Sequence, residues 1–183
     1  MLSALSAEPG DETLVVGVGV GYTAAVLAEL GSAARVQAVD IDRRVVLDAR
    51  GNLRRADYDA VLVDCRDGAD GFPEYAPFDR ILVEAAAVRP PRALADQLAP
   101  DGRLVMPVGT GDQTLAAFEP AGGDVDRVET FGPVAFGPLL VDGEEPGGLA
   151  RNRTEREDRE FARQGYFAPA GWEQDWIDWD EHR

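Results

Sequence analysis

Residues 13–30 read TLVVGVGVGYTAAVLAEL, and this stretch decides the fold class. The run 13–18 is apolar and rich in β-branched residues, which is typical of a buried strand, whereas 22–30 is rich in Ala and Leu and predicts a helix. Gly17, Gly19 and Gly21 lie between them and permit tight backbone turns. The stretch therefore predicts a strand, a glycine turn and a helix in succession.

The same unit recurs as far as residue 108. Further strands are predicted at 36–39, 60–63, 79–83 and 103–108, with helices at 42–55 and 93–98. Strands that alternate with helices form a parallel sheet covered on both faces. After Gly109 the segments 113–118, 125–131 and 134–141 look like strands joined by Gly- and Asp-rich turns. We expect a doubly wound α/β fold with a mostly parallel sheet and antiparallel strands at its C-terminal edge.

A chain of 183 residues can bury one sizeable core. We expect residues 1–145 to form that domain and residues 146–183 to form an acidic extension. Within the extension, 151–164 is a highly charged predicted helix, and Trp172, Trp176 and Trp179 fall on one face if the last stretch is helical.

The charge balance bears on source and partners. The chain has 34 acidic residues against 18 basic ones, a formal net charge of −16, and every basic residue is Arg. An acidic, lysine-free surface is typical of proteins that stay soluble in molar salt, so we expect a halophilic, haloarchaeal source. The same charge disfavours nucleic acid as a partner, because duplex binding depends on Lys and Arg neutralising phosphates.

Other features narrow the class of protein. The single cysteine, Cys65, permits no internal disulfide, and no apolar run has the length of a membrane span or the flanks of a signal peptide. We therefore expect a cytoplasmic protein, monomeric and without a metal site.

The glycine turn predicts a ligand site, because glycines let a ligand approach the backbone at a helix N-terminus. Asp40 ends the second strand, 19 residues after Gly21, where a carboxylate can accept hydrogen bonds from both hydroxyls of a ribose. Two alternatives stay open: a tight turn with no ligand, and Asp40 as the N-cap of the following helix.

These features do not separate S-adenosylmethionine from NAD, since Gly19, Gly21 and Ala24 also fit a dinucleotide fingerprint. A hydride-transferring enzyme of this size usually needs Lys or His to protonate or polarise its substrate, yet Lys is absent and the only His is His182. Methyl transfer to a carboxylate does not require such a Lys or His, because the nucleophile is already ionised at neutral pH. The hypothesis of an NAD-dependent oxidoreductase therefore rests on the glycine pattern alone.

An ordered set of motifs runs along the chain: GVGVGY at 17–22, Asp40, Asp67-Gly68, APFD at 76–79, AAA at 85–87, and Gln97-Leu98 leading to GRLVMPVG at 102–109. In their order and spacing these motifs resemble those of the protein-L-isoaspartate O-methyltransferase family. The resemblance implies a Rossmann-like fold, S-adenosylmethionine as cofactor, and methylation of the free carboxylate of isoaspartyl residues in damaged proteins, which is a protein-repair reaction.

The resemblance also implies site residues. The cofactor-binding set is Gly17, Val18, Gly19, Val20, Gly21, Tyr22, Asp40, Ile41, Asp67 and Gly68, with Glu84 and Ala85 on the substrate side. Asp40 would hold the ribose hydroxyls, and Asp67-Gly68 would contact the adenine. Two alternatives remain: Asp67 as a loop carboxylate capping the turn before Gly68, and Glu84 as a residue that faces solvent.

The chain also departs from the family pattern. Val15 and Val20 stand where an acidic residue and a small hydroxyl are usual, and Glu84 replaces a small residue. The family's substrate-binding segment, with its Ser-Ala-Pro-His-like motif, precedes the position where this chain begins, so no catalytic residue is assigned. Met1–Leu5 looks like the last turn of the helix before the first strand. The alternative function is a cofactor-binding, catalytically impaired relative that acts with a partner.

Overall fold

The computed structural model describes residues 1–140. The elements are α1 (Leu2–Leu5), β1 (Thr13–Val16), α2 (Tyr22–Leu30), β2 (Val36–Asp40), α3 (Arg43–Arg55), β3 (Leu62–Cys65), β4 (Phe78–Val83), α4 (Arg92–Asp96), β5 (Leu98–Val108), β6 (Gln113–Ala121) and β7 (Asp124–Val134), with 3₁₀ turns at Ala33–Arg35, Gly68–Asp70 and Pro73–Tyr75. None of the helices described in this part of the chain is long and apolar enough to cross a membrane.

All the described strands belong to one sheet with the order β3-β2-β1-β4-β5-β6-β7. The first five strands are parallel, and β6 and β7 are antiparallel to their neighbours. The predicted fold class is therefore confirmed, including the antiparallel C-terminal edge. Central strand β1 pairs with β2 on one side and β4 on the other, so that Val39, Val16 and Val83 lie side by side.

The sheet is covered on both faces, and the alternation of side chains along β1 separates the two layers. Val15 points to the face covered by α1, α2 and α3, where Leu5, Leu27 and Leu53 pack. Leu14 and Val16 point to the opposite face, which holds Leu94 of α4 together with Phe72 and Ala76, the residues that flank the 3₁₀ turn Pro73–Tyr75. Every residue of β1 is buried, as a central parallel strand requires.

Arg103 of β5 links three separate elements. Its guanidinium donates hydrogen bonds to the Ala4 carbonyl at 2.8 Å, to Glu119 of β6 at 2.6 Å and to Glu129 of β7 at 2.6 Å. A planar fork of donors suits this arrangement, and a lysine ammonium could not reproduce it. The contact also holds α1, the predicted terminal helical turn, against the sheet.

One predicted strand is wrong. The prediction placed a strand at 134–141, but Val134 ends β7, and residues 135–140 form a strap that crosses the carboxyl end of the sheet. The hydrogen bonds of this segment explain the difference, because it bonds to the Ala86 backbone and to the Gln113 side chain instead of pairing along a strand. Val141, the predicted helix 151–164, the three tryptophans and the domain boundary after residue 145 lie outside the described residues.

Candidate active site

A cleft lies at the carboxyl ends of β1, β2 and β4. From β1 the chain runs outward to β2 and β3 and then returns to place β4 on the other side of β1, so the sheet order reverses between β1 and β4. Ligands of open α/β sheets bind outside the carboxyl ends of the strands at such a point. The cleft encloses about 220 Å³ and is lined by Val16, Gly17, Asp40, Ile41, Asp42, Val45, Gly68, Glu84, Ala85 and residues 137–140.

The glycine turn lies between β1 and α2, and its first residue, Gly17, lines the floor of the cleft. Gly17, Gly19 and Gly21 all have positive φ angles, of 88°, 52° and 88°. The Gly17 and Val18 N–H groups both donate to the Val39 carbonyl, at 2.9 and 3.0 Å. A Cβ at Gly21 would lie 3.2 Å from the Leu53 side chain, so this glycine lets α2 approach α3. The turn is therefore fixed by its own backbone and by helix packing.

Asp40 projects into the cleft from the end of β2. One carboxylate oxygen accepts a hydrogen bond from the Asp42 N–H at 3.0 Å, and the other accepts one from the Gly19 N–H at 3.3 Å. The N-cap of α3 is Asp42, whose side chain accepts from the Arg44 N–H at 2.7 Å. The N-cap of this helix is therefore Asp42 and not Asp40. Asp40 is held by backbone donors, and each of its carboxylate oxygens retains acceptor capacity.

The turn after β3 supplies another wall. Asp67 accepts a hydrogen bond from the Ala69 N–H at 2.8 Å and caps the 3₁₀ turn, as the alternative interpretation of this residue supposed. Gly68 lines the cleft and packs against β1, since a Cβ there would come within 2.4 Å of Val16 Cγ1. An adenine contact by Asp67 stays a prediction.

The buried side chain of Gln97 holds this turn in place. Its Oε1 accepts from the Phe72 N–H at 2.7 Å, and its Nε2 donates to the Asp70 carbonyl at 2.8 Å. Gly71 lies between these two residues with φ of 66°. Gln97 therefore does not line the cleft but fixes the backbone of the turn that carries Gly68.

The strap at 135–140 closes the remaining side of the cleft. The Ala86 N–H donates to the Gly137 carbonyl at 2.8 Å, and the Leu139 N–H donates back to the Ala86 carbonyl at 2.8 Å. Gln113 clamps the strap from β6 through both hydrogen bonds of its side-chain amide to the Phe136 backbone. Leu139 and Leu140 thus give the cleft an apolar wall that sequence reasoning missed. The Gly-Pro pair at 137–138 gives only a weak signal, because the same pair at 132–133 lies inside β7.

The predicted cofactor residues divide into two groups. Gly17, Asp40, Ile41 and Gly68 line the cleft, and so do Glu84 and Ala85 from the predicted substrate side. The other predicted residues, Val18, Gly19, Val20, Gly21, Tyr22 and Asp67, do not line it. Val18 is buried in the core, whereas the side chains of Val20 and Tyr22 are exposed beside the glycine turn. Lining residues that were not predicted are Val16, Asp42, Val45 and the strap.

Glu84 is half-buried in the cleft wall, at the first position after β4. Its Oε1 accepts a hydrogen bond at 2.7 Å from the hydroxyl of Thr23, which lies at the start of α2. Burial raises the pKa of this carboxyl, and the Thr23 hydrogen bond and the Met1 ammonium only partly offset that effect. Glu84 therefore faces the cleft, not open solvent.

Glu84→Gln is expected to raise the melting temperature of the ligand-free protein at neutral pH. Because the pKa is raised on folding, the ionised carboxylate disfavours the folded state relative to the unfolded chain, where Glu titrates near about 4.3. That cost is absent below the unfolded-state pKa and complete above the folded-state pKa. Thermal melts at a series of pH values check this: the advantage of the variant should shrink as the pH falls toward about 4. A variant less stable than the wild type at neutral pH would contradict it.

Comparison with known proteins gives the cleft a family context. The model of the family "Protein-L-isoaspartate(D-aspartate) O-methyltransferase (PCMT)" matches residues 1–145. The chain belongs to this family. A protein-L-isoaspartate O-methyltransferase from Methylorubrum extorquens is 47% identical over 142 residues, which cover 76% of this chain and 60% of that protein. One from Methanocella arvoryzae is 44% identical and is covered to 74%.

Solved structures of the family agree in fold. A protein-L-isoaspartate O-methyltransferase superposes with a TM-score of 0.69 at 25% identity, over 86% of this chain and 49% of that one. A Plasmodium falciparum structure described as a protein-L-isoaspartate O-methyltransferase, in complex with S-adenosyl-L-homocysteine, superposes with a TM-score of 0.61 at 22% identity, over 73% of this chain and 67% of that one. The matched part of the chain spans less than two thirds of the M. extorquens family member.

Proposed function

We propose that this chain binds S-adenosylmethionine in the cleft and methylates the free carboxylate of L-isoaspartyl residues in damaged proteins. The observation that carries the proposal is the cleft itself: a glycine turn with Asp40 beside it, at the carboxyl edge where the sheet order reverses, in a member of the isoaspartate methyltransferase family. S-adenosylmethionine is the cofactor that this site fits, on the following grounds.

The charge of the cleft suits a cationic ligand. Its lining contains the carboxylates Asp40, Asp42 and Glu84 and no basic residue among the described ones. The sulfonium and ammonium groups of S-adenosylmethionine complement such a lining, whereas the pyrophosphate of NAD would be repelled by it. The glycine turn also leaves few donors for a phosphate, because the N–H groups of Gly17, Val18 and Gly19 already donate within the protein.

Each part of the cofactor has a candidate partner. Asp40 can accept hydrogen bonds from the ribose hydroxyls. Gly68, with the apolar wall of Leu139 and Leu140, offers a surface for the adenine. Gly17 brings bare backbone to the floor of the cleft, where a side chain would fill the space beside Glu84.

The chemistry asks little of the protein. S-adenosylmethionine, when bound, would supply a methyl group that a carboxylate oxygen can attack directly, with S-adenosylhomocysteine leaving as a neutral thioether. An isoaspartyl carboxylate is ionised at neutral pH, so no general base is needed, which is consistent with a site built without His or Lys. The protein's part is to orient the two reactants and to exclude water, and the cleft with its strap can do both.

Isothermal titration with S-adenosylhomocysteine in molar salt, followed by methyl incorporation into an isoaspartyl peptide, tests the proposal. Saturable binding together with methylation of the isoaspartyl peptide, but not of its aspartyl counterpart, is the expected result. Binding without turnover would reject the activity and favour the alternative of an impaired relative that acts with a partner. Displacement of the bound ligand by NAD would favour the oxidoreductase.

We also infer that the enzyme works as a monomer in a high-salt cytoplasm, with no nucleic-acid or membrane partner. The support is the lysine-free composition with 34 acidic residues, which suits solubility at high ionic strength. Sedimentation in molar salt and in dilute buffer measures the oligomeric state and its dependence on salt.

A further inference from the structure

Glu84 differs from the other carboxylates of the cleft in having no assigned structural role. Asp42 caps α3, and Asp40 accepts two backbone N–H groups. Glu84 takes part in none of the ion pairs found within residues 1–140, and its one hydrogen bond there comes from the neutral hydroxyl of Thr23. Its second carboxylate oxygen, Oε2, is therefore available to a ligand.

A half-buried carboxylate with no ion-pair partner is costly to keep, and the Met1 ammonium, which is not within ion-pair distance of Glu84, only partly offsets the cost. Removing a charge from water disfavours the folded state unless an opposite charge compensates for it, and residues kept at such a cost are concentrated in functional sites. The direction of the Glu84 pKa agrees with this cost. A cationic group that enters the cleft would supply the missing partner.

The position of Glu84 identifies which part of the cofactor could reach it. Asp40, Gly17 and Glu84 each follow one of the paired residues Val39, Val16 and Val83 on three adjacent strands. Asp40 and Glu84 are therefore two strand spacings apart, about 10 Å, with bare glycine between them. If the ribose is held at Asp40, the amino-acid end of the cofactor extends across Gly17 toward Glu84.

We propose that Glu84 binds the α-ammonium group of the amino-acid part of S-adenosylmethionine, with Thr23 holding the carboxylate in place. The inference rests on the proposed function and deepens it. An ammonium offers three N–H donors, whereas the sulfonium offers none, so the ammonium is the group that a carboxylate can hydrogen-bond. The neighbouring hydroxyl fixes one carboxylate oxygen and leaves the other to accept this bond.

The test uses three ligands and the Glu84→Gln variant of the full chain. S-adenosylmethionine and S-adenosylhomocysteine carry the ammonium, and 5′-methylthioadenosine carries only the adenine, ribose and thioether. Titration calorimetry should show both amino-acid ligands binding about 10- to 100-fold more weakly to the variant, as expected for a lost charge-assisted hydrogen bond. Methylthioadenosine should bind the variant and the wild type equally.

Glu29→Gln is the matched control. Glu29 lies near the end of α2, does not line the cleft, and bonds to the Tyr58 hydroxyl. The Glu29→Gln substitution removes the same unit charge from a strongly acidic protein, so an effect of net charge on cationic ligands would appear in both variants. We expect the Glu29→Gln affinities to equal those of the wild type.

Other outcomes would overturn the inference. Unchanged affinity of Glu84→Gln for S-adenosylhomocysteine would reject it, and so would an equal loss for methylthioadenosine, which would indicate a deformed cleft. A loss confined to S-adenosylmethionine would reject the ammonium as the partner in favour of the sulfonium. Failure of the wild type to bind any of the three ligands would instead reject the proposed function, and the inference with it.

Discussion

Asp40→Ala is expected to weaken S-adenosylhomocysteine binding by about 100-fold, because two charge-assisted hydrogen bonds to the ribose are lost together. The variant also releases the Gly19 and Asp42 N–H groups from their acceptor, so the glycine turn loses a fixed contact. Titration calorimetry in molar salt measures the effect. Because the ribose is common to all three ligands, methylthioadenosine should lose affinity as well, unlike its behaviour with Glu84→Gln.

The control for this experiment is Asp48→Ala. Asp48 is exposed on α3, and its loss removes the same charge without touching the cleft. Affinity within a factor of about two of the wild type is expected for this control, since exposed charges are screened at high salt. Asp40→Ala with wild-type affinity would exclude Asp40 as the ribose partner.

Gly71→Ala is expected to lower the free energy of unfolding by about 4 kcal/mol, the sum of backbone strain and overpacking. The φ of 66° disfavours any residue with a side chain, and a Cβ would lie 2.4 Å from Gln97 Oε1 and 2.8 Å from the Leu94 side chain. Moving Gln97 would break its bonds to Phe72 and Asp70. Denaturant unfolding measures the loss.

Gly122→Ala is the control for a positive φ without overpacking, and Gly71, whose ψ of −142° lies outside the left-handed helical region, should lose more than this control through both its backbone strain and its contacts. Gly122 has a similar φ of 58° in the β6–β7 turn, but a Cβ there meets nothing within 4 Å. Its loss should therefore be only the strain of a left-handed alanine, about 1 kcal/mol. Equal losses in the two variants would contradict the prediction for Gly71→Ala.

Most of the α/β half could be predicted because its signals are local. Helix α2 was predicted at its observed bounds, since Gly21 and Gly31 border a run of good helix formers. Asp40 and Gly17 could be located because the spacing between strand ends follows from the strand–helix–strand unit. Strand bounds were less accurate: β5 begins at Leu98, where the sequence pattern favoured the end of a helix.

The missed parts of the site depend on contacts between residues distant in sequence. The strap is fixed by Ala86 and Gln113, which lie 51 and 24 residues before Gly137. A local sequence pattern does not contain these contacts, and its alternating apolar residues therefore favour one more strand. The role of Gln97 depends in the same way on a turn 25 residues earlier. Glycine motifs likewise do not reveal which side chains face the ligand, and Val20 and Tyr22 point outward.

The strap has a practical consequence for protein engineering. A minimal version cut at Val134, after the last described strand, would keep the sheet of residues 1–140 yet open one side of the cleft by deleting Leu139 and Leu140. A reporter or affinity tag joined directly to Leu140 would begin at the pocket mouth and would compete with ligands for access. Attachment at Met1 would also change the surroundings of the cleft, because the Met1 ammonium lies close enough to Glu84 to oppose the rise in the pKa of that carboxyl.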